Sequence, residues 1–312
     1  MIGAILAGGY GKRLKPITND IPKSMISIKE NFTILDRQIS DFRSIGITEL
    51  YILSGHLGEK IEEYLTPKYK DLKITYFREE KPLGTLYSMR NLLEHRKDED
   101  IMLRNGDTVT DMNFKAMVKF ARNTSYGAVI FAVKMRSPYG ILEIFGDTVT
   151  KFKEKPFINA YINAGIYIFK KDIFDFFFDS YPDKELETTV FPRLASRKQI
   201  GAYMEDAFWM GIDSEKDLEA IREEYSNRED APWGYYKMIM TDKKSTITDY
   251  FIRAEEEPTI HIPGQSVVRF NSGSGMVLPE NRRFREGSII EPRGDVVIKT
   301  AEPTRLELIT IH

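Results

Sequence analysis

The first two-thirds of the chain alternates short continuous apolar runs with stretches whose apolar residues return every three or four positions. Residues 2–6 form an apolar run of strand length ending in a glycine cluster, as a buried parallel strand does. Over residues 34–45, Leu35, Ile39 and Phe42 fall at helical spacing, and Gly46 stands where a C-terminal cap belongs. Residues 50–53 then predict a strand, 58–65 a short helix and 74–77 another strand. Leu86, Met89, Leu92 and Leu93 predict a helix that Thr85 is placed to cap. A strand over 101–103 stops at Arg104-Asn-Gly-Asp107. This βαβαβ rhythm predicts an α/β fold whose mostly parallel sheet carries helices on both faces.

The rhythm then breaks. Residues 141–145 and 148–152 alternate about Gly146-Asp147, the pattern of a tight hairpin. A strand is predicted over 166–169, and 174–178 read as the edge of an amphipathic helix. Ser214-x-x-Asp217 is a capping pattern opening a helix with Leu218, Ile221 and Tyr225 on one face. Asn227-Arg-Glu-Asp-Ala-Pro232 is polar and ends in proline, which sets a domain boundary and divides the chain into 1–228 and 229–312. Beyond Trp233, residues 246–252, 259–262, 266–270, 296–298 and 306–311 read as short strands between Gly and Pro turns. They predict a small all-β barrel or sandwich.

Composition narrows the function. A length of 312 residues suits two domains, and 42% hydrophobic with 29% charged residues describes a folded globular chain. Lys and Arg number 45 against 47 Asp and Glu, a net charge of −2 that lacks the electrostatic footprint of a nucleic-acid binder. Cysteine is absent, which excludes disulfides, zinc ribbons and thiol nucleophiles. No apolar run approaches the roughly 20 residues that span a bilayer. Residues 1–7 are apolar but have no basic stretch before them and run into glycines, unlike a signal peptide. The expectation is a cytoplasmic protein with neither nucleic-acid nor membrane partners.

The most informative stretch is Leu6-Ala-Gly-Gly-Tyr-Gly-Lys-Arg-Leu-Lys-Pro-Ile-Thr18. Gly8, Gly9 and Gly11 follow the first strand directly, at the carboxyl end of a parallel sheet where ligands of such folds collect. Absent side chains let backbone N–H groups approach a polyphosphate, and Lys12, Arg13, Lys15 and then Lys23 add positive charge. Two common phosphate loops do not fit. A P-loop needs glycine where Leu6 stands and Ser or Thr where Arg13 stands, and a dinucleotide fingerprint needs a glycine at Leu14.

Gly8-Gly-x-Gly-x-Arg13-Leu-x-Pro16-x-Thr18 followed by Pro22-Lys23 resembles the signature of the sugar-1-phosphate nucleotidyltransferases, over roughly residues 1–225. The resemblance implies a Rossmann-like fold, a nucleoside triphosphate and a sugar 1-phosphate as substrates, Mg2+, and release of pyrophosphate. It implies a nucleotide site at Leu6, Ala7, Gly8, Gly9 and Gly11, with Arg13 on the β- and γ-phosphates and Lys23 on the α-phosphate or the sugar phosphate. Asp107 matches the family's magnesium aspartate. Where relatives carry Trp-x-Asp-Ile-Gly-Thr, this chain reads Trp209-Met-Gly-Ile-Asp213-Ser, so aspartate and glycine have exchanged places and Asp213 becomes the second metal candidate. Gly140 of Tyr139-Gly140, Glu154 and Lys155 of Glu154-Lys155-Pro156, and Asn163 of Asn163-Ala-Gly165 resemble the sugar contacts, Lys155 taking the sugar phosphate.

Glu79-Glu-Lys-Pro82-Leu-Gly84-Thr85 resembles the base-reading loop of the same family. Glutamine is common at the position of Glu79 in uridylyl- and thymidylyltransferases. A carboxylate only accepts, and guanine offers two adjacent donors, so Glu79 favours GTP and a guanylyltransferase of the mannose or heptose type. The Asp213 pattern is nearer the cytidylyl branch. Cytidylyl, uridylyl or thymidylyl transfer to glucose 1-phosphate stays open, as does a silent nucleotide-sugar-binding subunit. Pro232-Trp-Gly234, Pro263-Gly264 and residues 305–311 resemble parts of a cupin module, but His261 and His312 do not make its metal cluster. A degenerate cupin-like domain implies packing or homo-oligomer contacts.

Overall fold

In the computed structural model, which describes residues 1–81 and 83–312, the apolar runs at 2–6, 50–53, 74–77, 101–103 and 166–169 all lie in one seven-stranded sheet. Pro82, expected in the base-reading loop, lies outside the described residues. The strands are β1 (Ile2–Ala7), β2 (Glu49–Ser54), β3 (Lys73–Arg78), β4 (Ile101–Asn105), β5 (Ala128–Arg136), β6 (Phe157–Phe169) and β7 (Ile200–Met204). Their order is β7-β5-β6-β4-β1-β2-β3. β1 pairs parallel with both β2 and β4, β2 with β3, and β7 with β5. β6 runs antiparallel between β4 and β5.

Among the described residues the α-helices are α1 (Ile34–Ser44), α2 (Gly58–Lys68), α3 (Thr85–His95), α4 (Phe114–Asn123), α5 (Val190–Ser196) and α6 (Glu215–Tyr225). Side chains alternate across β1, so its two faces feed two cores. Ile5 packs with Leu35 and Phe42 of α1, Ile61 of α2 and Met117 of α4. Ile2 packs with Leu86 and Met89 of α3 and with Val190 and Leu194 of α5. Helices thus cover both faces of a mostly parallel sheet, as the rhythm predicts. α4 was not foreseen from the pattern; Asn113 caps it by accepting from the Ala116 N–H at 3.0 Å, and Phe114, Met117, Val118 and Ala121 form its buried stripe.

The entry to α1 is a buried polar hub. Thr33 and Asp36 make a reciprocal capping box. Asp36 also accepts from the hydroxyls of Tyr64 and Tyr69, both at 2.6 Å, and pairs with Lys68 at 2.9 Å. Burial works against its charge, but the Tyr64, Tyr69, Thr33 and Lys68 donors outweigh burial and hold the carboxyl below its ordinary value. A depressed carboxyl stabilises the fold above the unfolded-state pKa and loses that contribution as pH falls through the folded one. Asp36→Ala is therefore expected to lower unfolding free energy by about 3 kcal/mol at pH 7 in urea melts. The gap between variant and wild type should narrow below about pH 4.

Several local expectations are corrected. Thr85 is the first residue of α3 and does not cap it; Gly84 precedes it at φ +93°. The capping is done from far along the chain, where the Glu185 carboxylate accepts the Thr85 N–H at 3.0 Å and its hydroxyl at 3.1 Å. Residues 174–178 belong to a 3-10 helix, Lys171–Phe178, with Ile173, Phe174 and Phe177 buried.

The chain divides into compact units Met1–Leu218 and Glu219–His312, inside α6 and ahead of the expected boundary. The buried Arg228 accounts for this. Its guanidinium lies 4.4 Å from the Tyr225 ring and 3.7 Å from the Tyr235 ring and pairs with Asp230 at 2.8 Å, tying the end of α6 to the second unit. Residues 228–231, within the polar stretch read as a domain boundary, form a strand antiparallel to Gly234–Thr241. The second unit is built of a six-stranded and a four-stranded sheet. Both contribute to a core that includes Ile252, Val268, Phe270, Val277, Ile298 and Leu306. His261 pairs with Asp295 at 2.7 Å and His312 with Thr246 at 2.8 Å. Among the described residues no helix is long and apolar enough to cross a membrane.

Candidate active site

The chain runs from β1 outward to β2 and β3, then crosses back to place β4 on the other side of β1. The carboxyl ends of β1 and β4 therefore flank a topological switch point, where open α/β sheets bind ligands. Gly8 and Gly9 follow β1 there, and the Gly106 N–H donates to the Leu6 carbonyl at 2.8 Å, carrying the β1–β4 pairing into the turn before Asp107. Gly11 adopts a left-handed φ of +59°, and its carbonyl accepts from the Thr18 hydroxyl at 2.9 Å. A side chain at Gly11 would both strain the backbone and collide with Thr18. The loop is thus folded back on itself with Leu14 buried beneath it and Arg13 exposed.

A cavity of about 300 Å3 opens at this point. Of the residues expected to bind nucleotide, Leu6, Ala7, Gly8, Gly9, Glu79, Gly84 and Thr85 line it, together with Lys23 and Asp107. Ser24, Ser88, Asn105, Lys184 and Glu185 line it too and were missed from sequence. A volume of this size is at the lower end of small-molecule sites.

The acidic pair is assembled by a short ladder. Thr108–Thr110 pairs antiparallel with Trp209–Gly211, and the Ile212 N–H donates to the Asp107 carbonyl at 3.0 Å. Asp107 and Asp213 are thereby brought to one ammonium: Lys23 Nζ lies 2.6 Å from Asp107 Oδ2 and 2.7 Å from Asp213 Oδ1. Arg13 adds a contact to Asp213 at 3.3 Å. Ser214 and Asp217 cap α6 reciprocally, and Asp217 also takes the Asp213 N–H at 3.0 Å. Asp213 is thus relieved of capping and turns its side chain to the cations. Burial raises its carboxyl, but the Lys23 hydrogen bond and the charges of Lys23 and Arg13 prevail and hold it below the ordinary value. The exchanged order of Gly211 and Asp213 does not keep the second acid from the first.

Two carboxylates facing one cation suit a divalent ion, which takes one or two carboxylates and fills its octahedron with phosphate oxygens and water. Here the Lys23 ammonium lies between the two carboxylates. Among the described residues there is no group of three or more His, Asp or Glu side chains that could hold a metal ion.

Glu79 follows β3, on the opposite side of β1 from Asp107 in the strand order. Its carboxylate accepts from the Ser88 hydroxyl and, at 3.1 Å, from the Leu83 N–H. These contacts hold the group against α3 while leaving further lone pairs. The expected sugar residues fall into a separate set. Gly140 backs onto Phe152 and Glu154, and the Glu154 carboxylate lies 3.9 Å from the Lys155 ammonium. The hairpin Ile141–Phe145/Thr148–Lys153 joins them. Asn163 is engaged internally, donating to the Tyr167 hydroxyl at 2.8 Å and accepting the Gly165 N–H at 2.9 Å. Gly165 in turn abuts Asn105 of the cavity wall.

With a phosphate-type loop at the switch point and paired acids beside it, the site is that of an α/β enzyme handling phosphorylated ligands. Residues 2–228 match the nucleotidyl transferase family, and the chain belongs to that family. Among curated relatives, mannose-1-phosphate guanyltransferase beta-A of Xenopus laevis is 29% identical over 79% of this chain and 73% of its own length. Probable mannose-1-phosphate guanylyltransferase 2 of Oryza sativa subsp. japonica is 30% identical over 73% and 68%. Among solved structures, HddC from Yersinia pseudotuberculosis shares 26% identity with a TM-score of 0.55, covering 72% of this chain and 100% of that one. A putative glucose-1-phosphate thymidylyltransferase from Bacillus anthracis (19% identity, TM-score 0.60, 74% of this chain and 97% of that one) shares the fold.

Proposed function

We propose that this chain transfers the guanylyl group of GTP to a sugar 1-phosphate of the mannose or heptose type, forming a GDP-sugar and releasing pyrophosphate. The observation that carries this reading is the meeting of Lys23 and Asp107 beside Gly8 and Gly9, in the cavity that Glu79 also lines, with Asp213 paired to the same Lys23 ammonium. A phosphate oxygen of the sugar 1-phosphate attacks the α-phosphorus of GTP in line. The new P–O bond forms as the bond to the oxygen bridging the α- and β-phosphates breaks, and pyrophosphate departs with that electron pair. No side-chain nucleophile is needed, so the work is alignment and charge neutralisation. In this reading Gly8, Gly9 and Arg13 hold the β- and γ-phosphates and Lys23 the α-phosphate. Lys155 holds the sugar phosphate, while Gly140, Glu154 and Asn163 contact the sugar. Asp107 and Asp213 would hold Mg2+, which when bound neutralises phosphate charge and orients the triphosphate.

The experiment is a panel of nucleoside triphosphates and sugar 1-phosphates with Mg2+ and pyrophosphatase, read as phosphate release. GTP with mannose 1-phosphate or a heptose 1-phosphate should give the highest kcat/KM. A higher value with UTP, dTTP or CTP overturns the base assignment, and saturable binding without turnover of any pair overturns the enzyme reading. Glu79→Gln should reduce kcat/KM for GTP relative to UTP by about tenfold, since a mismatched buried polar contact costs about 1–3 kcal/mol. An unchanged ratio removes Glu79 from base selection.

A further inference from the structure

The turn that carries Asp107 is gripped from behind by a single helix face. Gln38, on α1, is fully buried, and its Nε2 donates to the carbonyls of Asn105 and Thr108, both at 2.9 Å. These carbonyls stand on either side of Asp107. Neighbouring residues of α1 hold the flanks. Asp41 pairs with the buried Arg104 at 2.6 Å, and Arg37 donates to the Thr110 carbonyl at 2.9 Å and lies 3.4 Å from Asp111. The orientation of the Gln38 amide is dictated by its partners, because turning it over would set its own oxygen against two carbonyl oxygens. In that orientation Gln38 Oε1 is buried with no hydrogen-bond partner among the described residues. The unpartnered acceptor is a cost that the two hydrogen bonds from Nε2 must outweigh. What the amide supplies, without burying a charge, is two donors from one nitrogen to both sides of one turn.

We propose that Gln38 is a positioning residue for the metal-dependent step: by tying the carbonyls of residues 105 and 108 to α1, it sets where the Asp107 carboxylate projects toward Asp213. The proposal rests on Asp107 being a metal ligand. Outer partners of metal ligands typically contribute 10–100-fold in metal affinity.

The test is Gln38→Met, which keeps volume and removes both donors. Mn2+ is titrated into enzyme with GTP and no sugar phosphate, the free ion being followed by its electron paramagnetic resonance signal. Bound Mn2+ should weaken tenfold or more, while the KM for sugar 1-phosphate changes less than twofold and the Mn2+ needed for half-maximal rate rises in step. A purely structural residue would lower thermal stability and the fraction of active enzyme but leave the Mn2+ dissociation constant unchanged, which overturns the proposal. Gln38→Glu guards against a variant that does not fold: its neutral acid offers one donor, so Mn2+ binding should be intermediate and should weaken as pH rises and the acid ionises. A pH-independent, wild-type constant in that variant also overturns the proposal. Asp107→Asn is run alongside. If it leaves Mn2+ affinity intact, the metal reading itself fails, whatever Gln38 does.

Discussion

Asp107→Asn is expected to lower kcat on the order of 10^3-fold at saturating Mg2+, about 4 kcal/mol of transition-state stabilisation. The amide keeps the size and much of the hydrogen bonding of the acid but removes a full negative charge facing the cation position. Folding should be little affected. Asp107 is part-exposed, Lys23 retains Asp213 as a partner, and the Asp107 carbonyl still takes the Ile212 N–H. The melting temperature of the free protein is thus predicted to stay within a few degrees of wild type while initial rates collapse. A variant with full rate would show that the acid at the end of β4 is only a turn residue.

Lys23→Met should be nearly as damaging, and its second effect has the opposite sign. On the proposed reading, loss of the ammonium removes a charge from the α-phosphate, and kcat/KM should fall by roughly 10^2-fold or more. The same substitution leaves Asp107 and Asp213 with no ammonium between them. Two carboxylates that lose a shared cation repel, so the Asp213 carboxyl should rise from its depressed value, and metal binding should relieve the strain. The prediction is tighter Mn2+ binding by the nucleotide-free variant than by wild type, alongside weaker catalysis. Calorimetric titration with MnCl2 and steady-state assays separate the two. Weaker metal binding in the variant would mean that Lys23 does not occupy the cation's position.

Much of the sheet was legible because strands buried on both faces leave unbroken apolar runs; residues 2–6 and 101–103 are of that kind. Strand direction leaves no such trace. β6 is apolar over 166–169 in either sense, and only its hydrogen bonding to β4 and β5 reveals the inversion. The glycine loop could be read because its chemistry is local: closely spaced glycines followed by cations. Asp213 was reached through resemblance alone, and the exchanged glycine obscured it. What joins it to Asp107 is the ladder of Thr108–Thr110 with Trp209–Gly211, which sequence spacing does not express. Glu185, Lys184 and Ser88 went unseen for the same reason, since Glu185 meets Thr85 across 100 residues without any motif. Gln38 leaves no mark in the sequence pattern, because one buried amide among apolar neighbours does not disturb the periodicity.

Lys23 and Asp213 are separated by 190 positions yet share one hydrogen bond. The glycine loop leaves the ribosome early and the second acid near the completion of the first unit. A nascent chain that ends before Asp213 can present its phosphate loop and first acid but not the pair. Chemical competence is therefore acquired late and in a single event, once the ladder closes a large loop at considerable entropic cost. On the proposed reading, incomplete products of translation carry the means to touch a triphosphate without the means to cleave it.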